Sequence, residues 1–524
     1  MKRTALILPV LIALAGCSSD SQETGDSSSD SGQHATHQGA EGIADSASPN
    51  GFPGQEKIWQ TWDQPAVAFL LTAEMHGFIE PCGCSEEQLG GVSRRANLLK
   101  KLEDKKWPVC GLDAGGLARR SAVQQAKIKL ESTLRALRDM KYRGIGMGPE
   151  ELRLGADFLL SQHDTESEDA VSFISANVVF FETPELSPKP WITFEQGGLK
   201  IAVTSVLSSK LQREMGRVSD VEVSDAREAL KKVLKELEPE SPDVTILLSQ
   251  AKVAESKEFA KEFPQFDIVL TAEGSSDPDP KNAFEKVGDT LVIEAGRKGK
   301  YAGVLAYYPD AEERFQYRLV ALNDSDFDDT PSMIQLMEDY QQRLRDQEVV
   351  LTDTIGVGHP SGAHFVGVEQ CATCHKKAMS VWKDSKHAHA FESLFPENKH
   401  HGYERLKGIS RGFDPECLAC HVTGWKPEQY LRYRSGFLNE ELAKEPEKGL
   451  QTLLAGNQCE NCHGPGSRHI ELIEEGEVKA AIDEVKVTEK QARESMCATC
   501  HDPDNSPNFK FDKYWKDIAH PGRD

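Results

Sequence analysis

The chain has 524 residues, 38% of them hydrophobic, and its acidic residues outnumber its basic residues by 84 to 61. This length and composition are typical of a soluble globular protein with two domains rather than one. The formal net charge of −23 disfavours binding to nucleic acid or to an anionic membrane, because both require a basic surface. Twelve cysteines are present, and eight of them recur in four copies of one spacing.

The N-terminus predicts export. Residues 1–17 combine two basic residues with an apolar run that is too short to span a membrane, as in a secretory signal. They end in Leu-Ala-Gly-Cys, which resembles the bacterial lipoprotein signal peptide, in which Cys17 is lipidated and becomes the mature N-terminus; ordinary cleavage with an unmodified Cys17 is the alternative. Ser18 favours the outer membrane, at its periplasmic or its surface face, with the lipid as the only anchor. Residues 18–58 are rich in Ser and Asp and predict a disordered tether.

Residues 59–350 predict a domain of layered sheets and helices. Short apolar runs alternate with amphipathic stretches, which is an α/β pattern. The predicted strands are Val67–Glu74, Val109–Asp113, Ser172–Asn177, Lys200–Leu207, Val244–Ser249, Phe266–Thr271, Leu291–Ala295 and Ala302–Tyr308. The predicted helices are Arg94–Lys105, Val123–Met140, Glu150–Leu160, Ala226–Leu237, Ala254–Phe263 and Pro331–Val350. Thr330 is the predicted N-cap of the last helix, with Pro331 in its first turn.

Residues 360–524 predict a second domain, loop-rich and mostly α-helical, with the boundary near residues 352–361. Gly and His become frequent there and long apolar runs disappear, so the region cannot form a large aliphatic core. Four CxxCH motifs stand in it: Cys371–His375, Cys417–His421, Cys459–His463 and Cys497–His501. This is the attachment pattern of c-type haem, and four haem plates would supply the missing apolar mass.

Each motif therefore predicts one haem c. Its two thiols would add to the porphyrin vinyl groups, which gives the attachment residues Cys371, Cys374, Cys417, Cys420, Cys459, Cys462, Cys497 and Cys500. The adjacent histidine would ligate the iron, which gives the proximal ligands His375, His421, His463 and His501. A zinc site would need paired CxxC units with separate histidines, and disulfides would make four redundant bridges, so both alternatives fit the spacing poorly.

The sixth coordination position of each iron decides what the haem can do. A second histidine favours electron transfer, whereas an open position favours binding or chemistry. Outside the motifs the region holds eight histidines, about half of which we expect to be ligands: His359, His364, His387, His389, His400, His401, His469 and His520.

Several stretches of residues 362–524 resemble the tetrahaem cytochrome c-554 family. They are Phe365–Cys371, Val381–Ala390, Cys420–Gly424 and Cys459–Gly466. The resemblance implies that three haems are bis-histidine and that the haem on Cys417 and Cys420 lacks a distal protein ligand. It assigns His387 and His469 as distal ligands and, as a weaker match, His520. His364 and His389 are rivals for these distal roles.

Landmarks within residues 67–308 resemble the metallophosphatase-like domain of periplasmic 5′-nucleotidases. They are Thr72–Gly77, Gly90–Arg95, Cys110–Gly116, Ser175–Asn177 and Gly296–Gly303. That family binds two metals, which clamp a phosphate and activate water. The resemblance implies that His76 is a retained ligand, whereas other residues stand where the remaining ligands belong: Glu74, Gly116, Pro149, Glu150, Gln250, Glu273 and Ser275. A non-catalytic frame that binds partners is therefore expected.

Three cysteines lie outside the signal and the haem motifs, and their role is open. Cys82 and Cys84 follow His76 closely, and Cys110 lies in a predicted buried strand. They could form a thiol or metal site with His76, or one disulfide and one buried thiol, or three inert thiols, and the sequence leaves these alternatives open. Arg94 and Arg95, at the start of a predicted helix, are expected to be solvated.

Together these features predict an exported, lipid-anchored cytochrome with four haem c groups that exchanges electrons with redox partner proteins. An enzyme that binds a small nitrogen or oxygen species at an open haem near Cys417 is one alternative. A residual phosphoesterase with a substitute metal centre is another.

Overall fold

The computed structural model describes residues 57–81, 88–118, 123–162, 171–354, 356–397, 406–444 and 448–520. All of them belong to one unit, Gly54–Asp524. The predicted signal with Cys17, the tether, Cys82 and Cys84 lie outside the described residues, as do His400 and His401. Residues 57–350 are called the N-terminal region below, and residues 356–520 the C-terminal region.

The N-terminal region contains two six-stranded sheets. Its strands are β1 (Val67–Thr72), β2 (Val109–Asp113), β3 (Tyr142–Gly146), β4 (Ser172–Ile174), β5 (Val178–Phe180), β6 (Trp191–Gln196), β7 (Leu199–Leu207), β8 (Val221–Val223), β9 (Val244–Lys252), β10 (Ile268–Glu273), β11 (Phe284–Val287), β12 (Thr290–Glu294), β13 (Tyr301–Tyr307) and β14 (Phe315–Ala321). The first sheet has the order β14-β13-β1-β2-β3-β4 and the second has β11-β12-β10-β9-β7-β6. Strands β5 and β8 pair separately as a small antiparallel ribbon.

The helices of the N-terminal region cover the outer faces of both sheets. They are α1 (Val92–Asp104), α2 (Val123–Asp139), α3 (Pro149–Leu152), α4 (Ala156–Ser161), α5 (Ser209–Met215), α6 (Ala226–Leu237), α7 (Val253–Glu262), α8 (Pro331–Asp346) and α9 (Val349–Thr352). Helices α1, α2 and α8 share an apolar cluster with the first sheet, and α6 and α7 share one with the second.

A third apolar cluster lies between the two sheets and explains why their central strands are apolar throughout. Strand β1 is buried at every position because sheet packs on one face and helices on the other. It pairs in parallel with β2, Ala68 opposite Val109, and antiparallel with β13, Phe69 opposite Leu305. The predicted α/β layers are thus confirmed.

Two predicted helices are divided in the structure. The helix expected at residues 150–160 is two short helices separated by Gly155, whose φ is 94°. The helix expected at Pro331–Val350 breaks at Glu348, which has a left-handed backbone with φ 48°. Strand β3 was not predicted, since Gly144 and Gly146 hide its apolar character.

The C-terminal region is built from short helices and loops, as predicted. Its helices are α10 (Val368–Ala372), α11 (Lys376–Lys383), α12 (Pro415–His421), α13 (Lys448–Leu453), α14 (Cys459–His463), α15 (Ser467–Glu474), α16 (Val478–Val485), α17 (Glu489–Gln491) and α18 (Phe511–Ile518), and its two short strands are β15 (Trp425–Lys426) and β16 (Leu431–Arg432). A small apolar cluster includes Phe365, Leu418 and Phe437. Within the described ranges, no helix is long and apolar enough to cross a membrane.

Candidate haem-binding site

The four CxxCH motifs lie on short helical turns. The first joins α10 to α11, the second ends α12, the third forms α14, and the fourth lies in a helical turn after α17. Helix α12 begins sharply because Asp414 is its N-cap, accepting a hydrogen bond from the backbone N–H of Glu416, and Pro415 occupies the first helical position. In each motif the histidine directly follows the second cysteine, so the two residues lie in the same turn.

Three of the proximal histidines face a second histidine. The ring centroids of His375 and His469 are 6.2 Å apart, as are those of His387 and His501. The rings of His463 and His520 are 5.9 Å apart. Two imidazoles that each place a nitrogen about 2 Å from one metal ion, on opposite sides, have centroids about 6 Å apart. These three pairs therefore fit three irons, each held between two histidines.

Hydrogen bonds fix the orientation of several of these rings. The Nδ1 atoms of His463 and His469 lie 2.7 Å and 2.8 Å from the carbonyl oxygens of Val485 and Ala481. Nδ1 of His520 lies 2.9 Å from the carbonyl oxygen of Ile518. A carbonyl can only accept, so each Nδ1 carries the proton and leaves Nε2 with a lone pair for a metal.

The second motif has the same anchoring on its proximal side. Nδ1 of His421 lies 2.7 Å from the carbonyl oxygen of Ala390 and 3.2 Å from the hydroxyl of Ser393. Burial lowers the pKa of His421, which favours the neutral imidazole that binds iron. The absence of a distal ligand that the family resemblance implies for this haem stays a prediction.

Other contacts are found for the two rival distal candidates, His389 and His364. Nδ1 of His389 is 3.0 Å from Glu392, and the His389 side chain is 41% exposed. The backbone N–H of His364 donates to the hydroxyl of Ser467. The positions opposite the first, third and fourth proximal histidines are instead filled by His469, His520 and His387.

The thiols of different motifs approach one another in pairs. The pKa of Cys371 is raised by its interaction with Cys459 and then by burial, and the pKa of Cys420 is raised by its interaction with Cys500 and then by burial. The first motif is thus adjacent to the third, and the second to the fourth. Burial also raises the pKa of Cys462 to about 12, which keeps that thiol protonated.

The cleft that resembles a dinuclear metal site is filled by protein. Nε2 of His76 lies 2.8 Å from Glu74, a buried carboxylate, and both residues have positive φ. A Cβ at Gly116 would clash with Glu74, so the longer glutamate side chain occupies the space where the bridging aspartate of the family would begin. Gln250 is buried and donates to the carbonyl oxygen of Ala114 at 2.7 Å. Among the residues that the structure describes, no group of three or more His, Cys, Asp or Glu could hold a metal ion.

Glu151 and Arg95 are both fully buried. The carboxylate of Glu151 accepts hydrogen bonds from the backbone N–H groups of Gly116, Ala118 and Gly148. Burial, and then the nearby charge of Glu150, raise its pKa to about 7. Arg95 is fully buried, so the expectation that it is solvated was wrong.

Cys110 requires a correction as a candidate thiol or metal ligand. It lies on β2 in the apolar cluster between the two sheets and is 1% exposed. Burial raises the pKa of its thiol to about 12, so the reactive thiolate is disfavoured. Cys110 is a core residue, and the site predicted on Cys82 and Cys84 stays a prediction outside the described residues.

Comparison with known proteins bears on the C-terminal region first. Residues 370–464 match the family of cytochrome c554 and c-prime. That range includes the first three motifs, and the fourth lies beyond it. The chain is also 33% identical over 120 residues to cytochrome c-554 of Nitrosomonas europaea, which covers 22% of this chain and 45% of that protein. The predicted resemblance is confirmed, and it indicates covalently bound haem c in this region.

Further similar proteins concern the N-terminal region. The chain is 29% identical over 170 residues to an apyrase of Aedes aegypti, covering 28% of this chain and 30% of the apyrase. Among solved structures, a 5′-nucleotidase precursor from Thermus thermophilus shares 18% identity with a TM-score of 0.45, covering 56% of this chain and 61% of that one. The NAD nucleotidase of Haemophilus influenzae shares 17% identity with a TM-score of 0.45, and the match covers 57% of this chain and 63% of that one. The chain spans less than half the length of either curated relative.

Proposed function

We propose that this protein is an exported cytochrome with four covalently bound haem c groups that transfers electrons between redox partner proteins. The observation that carries the proposal is the set of three histidine pairs with ring centroids 5.9–6.2 Å apart, each joining a CxxCH histidine to a histidine distant in sequence. Electron transfer is favoured over chemistry because an iron with two histidine ligands has no position for a substrate.

The chain's own residues would do three things. The eight motif cysteines would hold the haems covalently, and the motif histidines would ligate the irons. The carbonyl oxygens that accept from Nδ1 of His463, His469 and His520 would keep those rings aligned. The haem supplies the redox-active iron. The adjacent thiols of the first and third motifs, and of the second and fourth, would bring haems close enough together to form a path for electrons.

Export and anchoring complete the proposal. The signal-like residues 1–17 support secretion, and Cys17 would carry the lipid that attaches the protein to the outer membrane. Mass spectrometry of the N-terminal peptide after export tests this part, since diacylglycerol adds a characteristic mass to Cys17. A peptide that begins elsewhere, or an unmodified Cys17, would contradict it.

The test of the haem assignment is production in a host that attaches c-type haem. We expect four covalent haems per chain by pyridine haemochrome assay, and low-spin spectra from at least three of them. Carbon monoxide should leave the low-spin haems unchanged and bind any open one. A chain without covalent haem, or one that carries zinc at the motifs, would overturn the proposal; carbon monoxide binding at the second haem would favour the haem-enzyme alternative.

A further inference from the structure

Two side chains of the N-terminal region hold the residue that starts the second haem motif. Asp414, the N-cap of α12, is 4% exposed. The side-chain amide of Gln125, on α2, donates to its Oδ1 at 2.7 Å, and that of Gln341, on α8, donates to its Oδ2 at 2.7 Å. The amide of Gln125 also donates to the hydroxyl of buried Tyr340 at 2.9 Å. Both carboxylate oxygens that set the start of α12 are thus bound by the other region.

Charged contacts surround the same helix. Lys129, one turn after Gln125 on α2, lies 2.6 Å from Glu416, and the side chains are 9% and 18% exposed. Arg411 forms an ion pair with Glu80 of the N-terminal region, and its side chain is 7% exposed. Such partly buried pairs are weakly screened by solvent. Cys417, between these groups, carries the first thiol of the motif, so the charges lie next to the predicted haem.

A second set of contacts reaches the fourth motif. Asp504 follows His501 by three residues and forms an ion pair with Lys298; Lys300 lies 3.4 Å from it. Burial opposes ionisation of Asp504, but the two lysines together lower its pKa. The side-chain amide of Gln88 donates to the backbone carbonyl oxygen of Asp504 at 2.9 Å. The fourth motif is therefore held from the N-terminal region as well.

The two motifs that the N-terminal region holds are neighbours. Residues 387–390 contact both proximal histidines: the ring of His387 lies 6.2 Å from that of His501, and the carbonyl oxygen of Ala390 lies 2.7 Å from Nδ1 of His421. The second and fourth motifs would therefore carry one pair of adjacent haems. The first and third motifs are linked from within the C-terminal region instead. Glu460, in the third motif, accepts from the backbone N–H groups of Val366 and Gly367, just before the first motif, and of Gly466.

We propose that the N-terminal region is a clamp that positions the second and fourth haems and sets their redox potentials, a role that rests on the proposed function. Gln125, Gln341, Lys129 and Lys298 are positioning residues, because each acts on the haem through Asp414, Glu416 or Asp504. The lysine cations favour the reduced haem, which carries one positive charge fewer than the oxidised haem. The N-terminal region would thus have a role in positioning the haems that requires no catalysis of its own.

Potentiometric titration of the full-length holoprotein tests the clamp. We expect the titration of the parent protein to resolve into four haem components. Lys129→Met should move one component to lower potential, and Lys298→Met should move a different one to lower potential. Asp504→Asn should move the same component as Lys298→Met, but to higher potential, because it removes a negative charge. Lys127→Met, on the same helix but over the Phe158 ring at 5.1 Å, is the matched control and should move none.

Lys298→Met and Asp504→Asn should shift the potential of the same haem in opposite directions if charge sets that potential. If the variants merely loosened the structure around the haem, both would shift the potential in the same direction. Lys129→Arg keeps the charge and should restore the parent titration. The clamp is overturned if the lysine variants keep four haems and all four parental potentials, or if they move all components equally. If Lys129→Met fails to fold, the Lys298→Met and Asp504→Asn variants still test the clamp. Failure of the proposed function is distinct, since the parent would then carry no covalent haem.

Discussion

Removal of His387 should convert one six-coordinate haem into an open one. Its ring lies 6.2 Å from that of His501 at an interplanar angle of 35°, across the space that one iron would occupy. Burial, followed by the charges of His501 and His421, lowers the pKa of His387 to about 4, so the imidazole is neutral at pH 7 and its lone pair is available. With glycine at this position, an iron held between these two rings would lose one of its two histidine ligands. We expect the number of haems that bind carbon monoxide to rise by one per chain.

The assay is a carbon monoxide titration of reduced protein, normalised to haem content, with the parent measured alongside. Added imidazole should enter the vacated space and return the haem to the low-spin state. His389→Gly is the matched control, because His389 lies two residues away and its Nδ1 is 3.0 Å from Glu392. The reasoning is refuted if His387→Gly binds no more carbon monoxide than the parent, or if His389→Gly is the variant that gains a site.

Three further outcomes concern the N-terminal region and can be measured by urea unfolding. The folded protein retains a proton on Glu151 up to about pH 7, whereas an unfolded carboxyl releases it near 4.5, so stability should fall as pH rises through this window. Across this window the free energy of unfolding should fall by about 3 kcal/mol in the parent protein, and Glu151→Gln should remove most of that pH dependence. An unchanged pH dependence would mean that another group titrates. Gly116→Asp should cost about 2 kcal/mol or more, because the residue has φ 75° and its Cβ would meet Glu74; binding of a divalent ion by this variant would contradict the filled cleft. Gly111→Ala should cost about 2–3 kcal/mol because its Cβ would overlap the buried ring of Tyr142; unfolding at the parental midpoint would contradict that packing.

Local patterns predicted the elements whose bounds are marked by their own residues. Strand β2 and helix α6 have the bounds that the sequence predicts, Val109–Asp113 and Ala226–Leu237. The continuous apolar run of β2 suits a strand covered on both faces. Asp225 is the N-cap of helix α6 and accepts hydrogen bonds from the backbone N–H groups of Arg227 and Glu228. An aspartate at the N-cap is a helix start signal that the sequence itself shows.

Features that depend on distant partners could not be predicted in the same way. The pairing of His375 with His469 joins residues separated by 94 positions; the family resemblance indicated His469 as a distal ligand but not its partner. Nothing in the spacing of Gln125 and Gln341 indicates that both bind Asp414. Arg95 looked like a solvated residue at a helix start, yet the fold encloses it entirely. In each case the decisive neighbour comes from another part of the chain.

The contact between thiols of different motifs has a consequence for the order of maturation. Cys371 interacts with Cys459, and Cys420 with Cys500. A chain that folded before receiving its haems in an oxidising compartment would bring these sulfurs together, and their oxidation would join motifs by disulfides that consume the groups needed for thioether bonds. Maturation of the proposed exported cytochrome is therefore expected to depend on a reductant, and on haem delivery that precedes the final packing of the motifs.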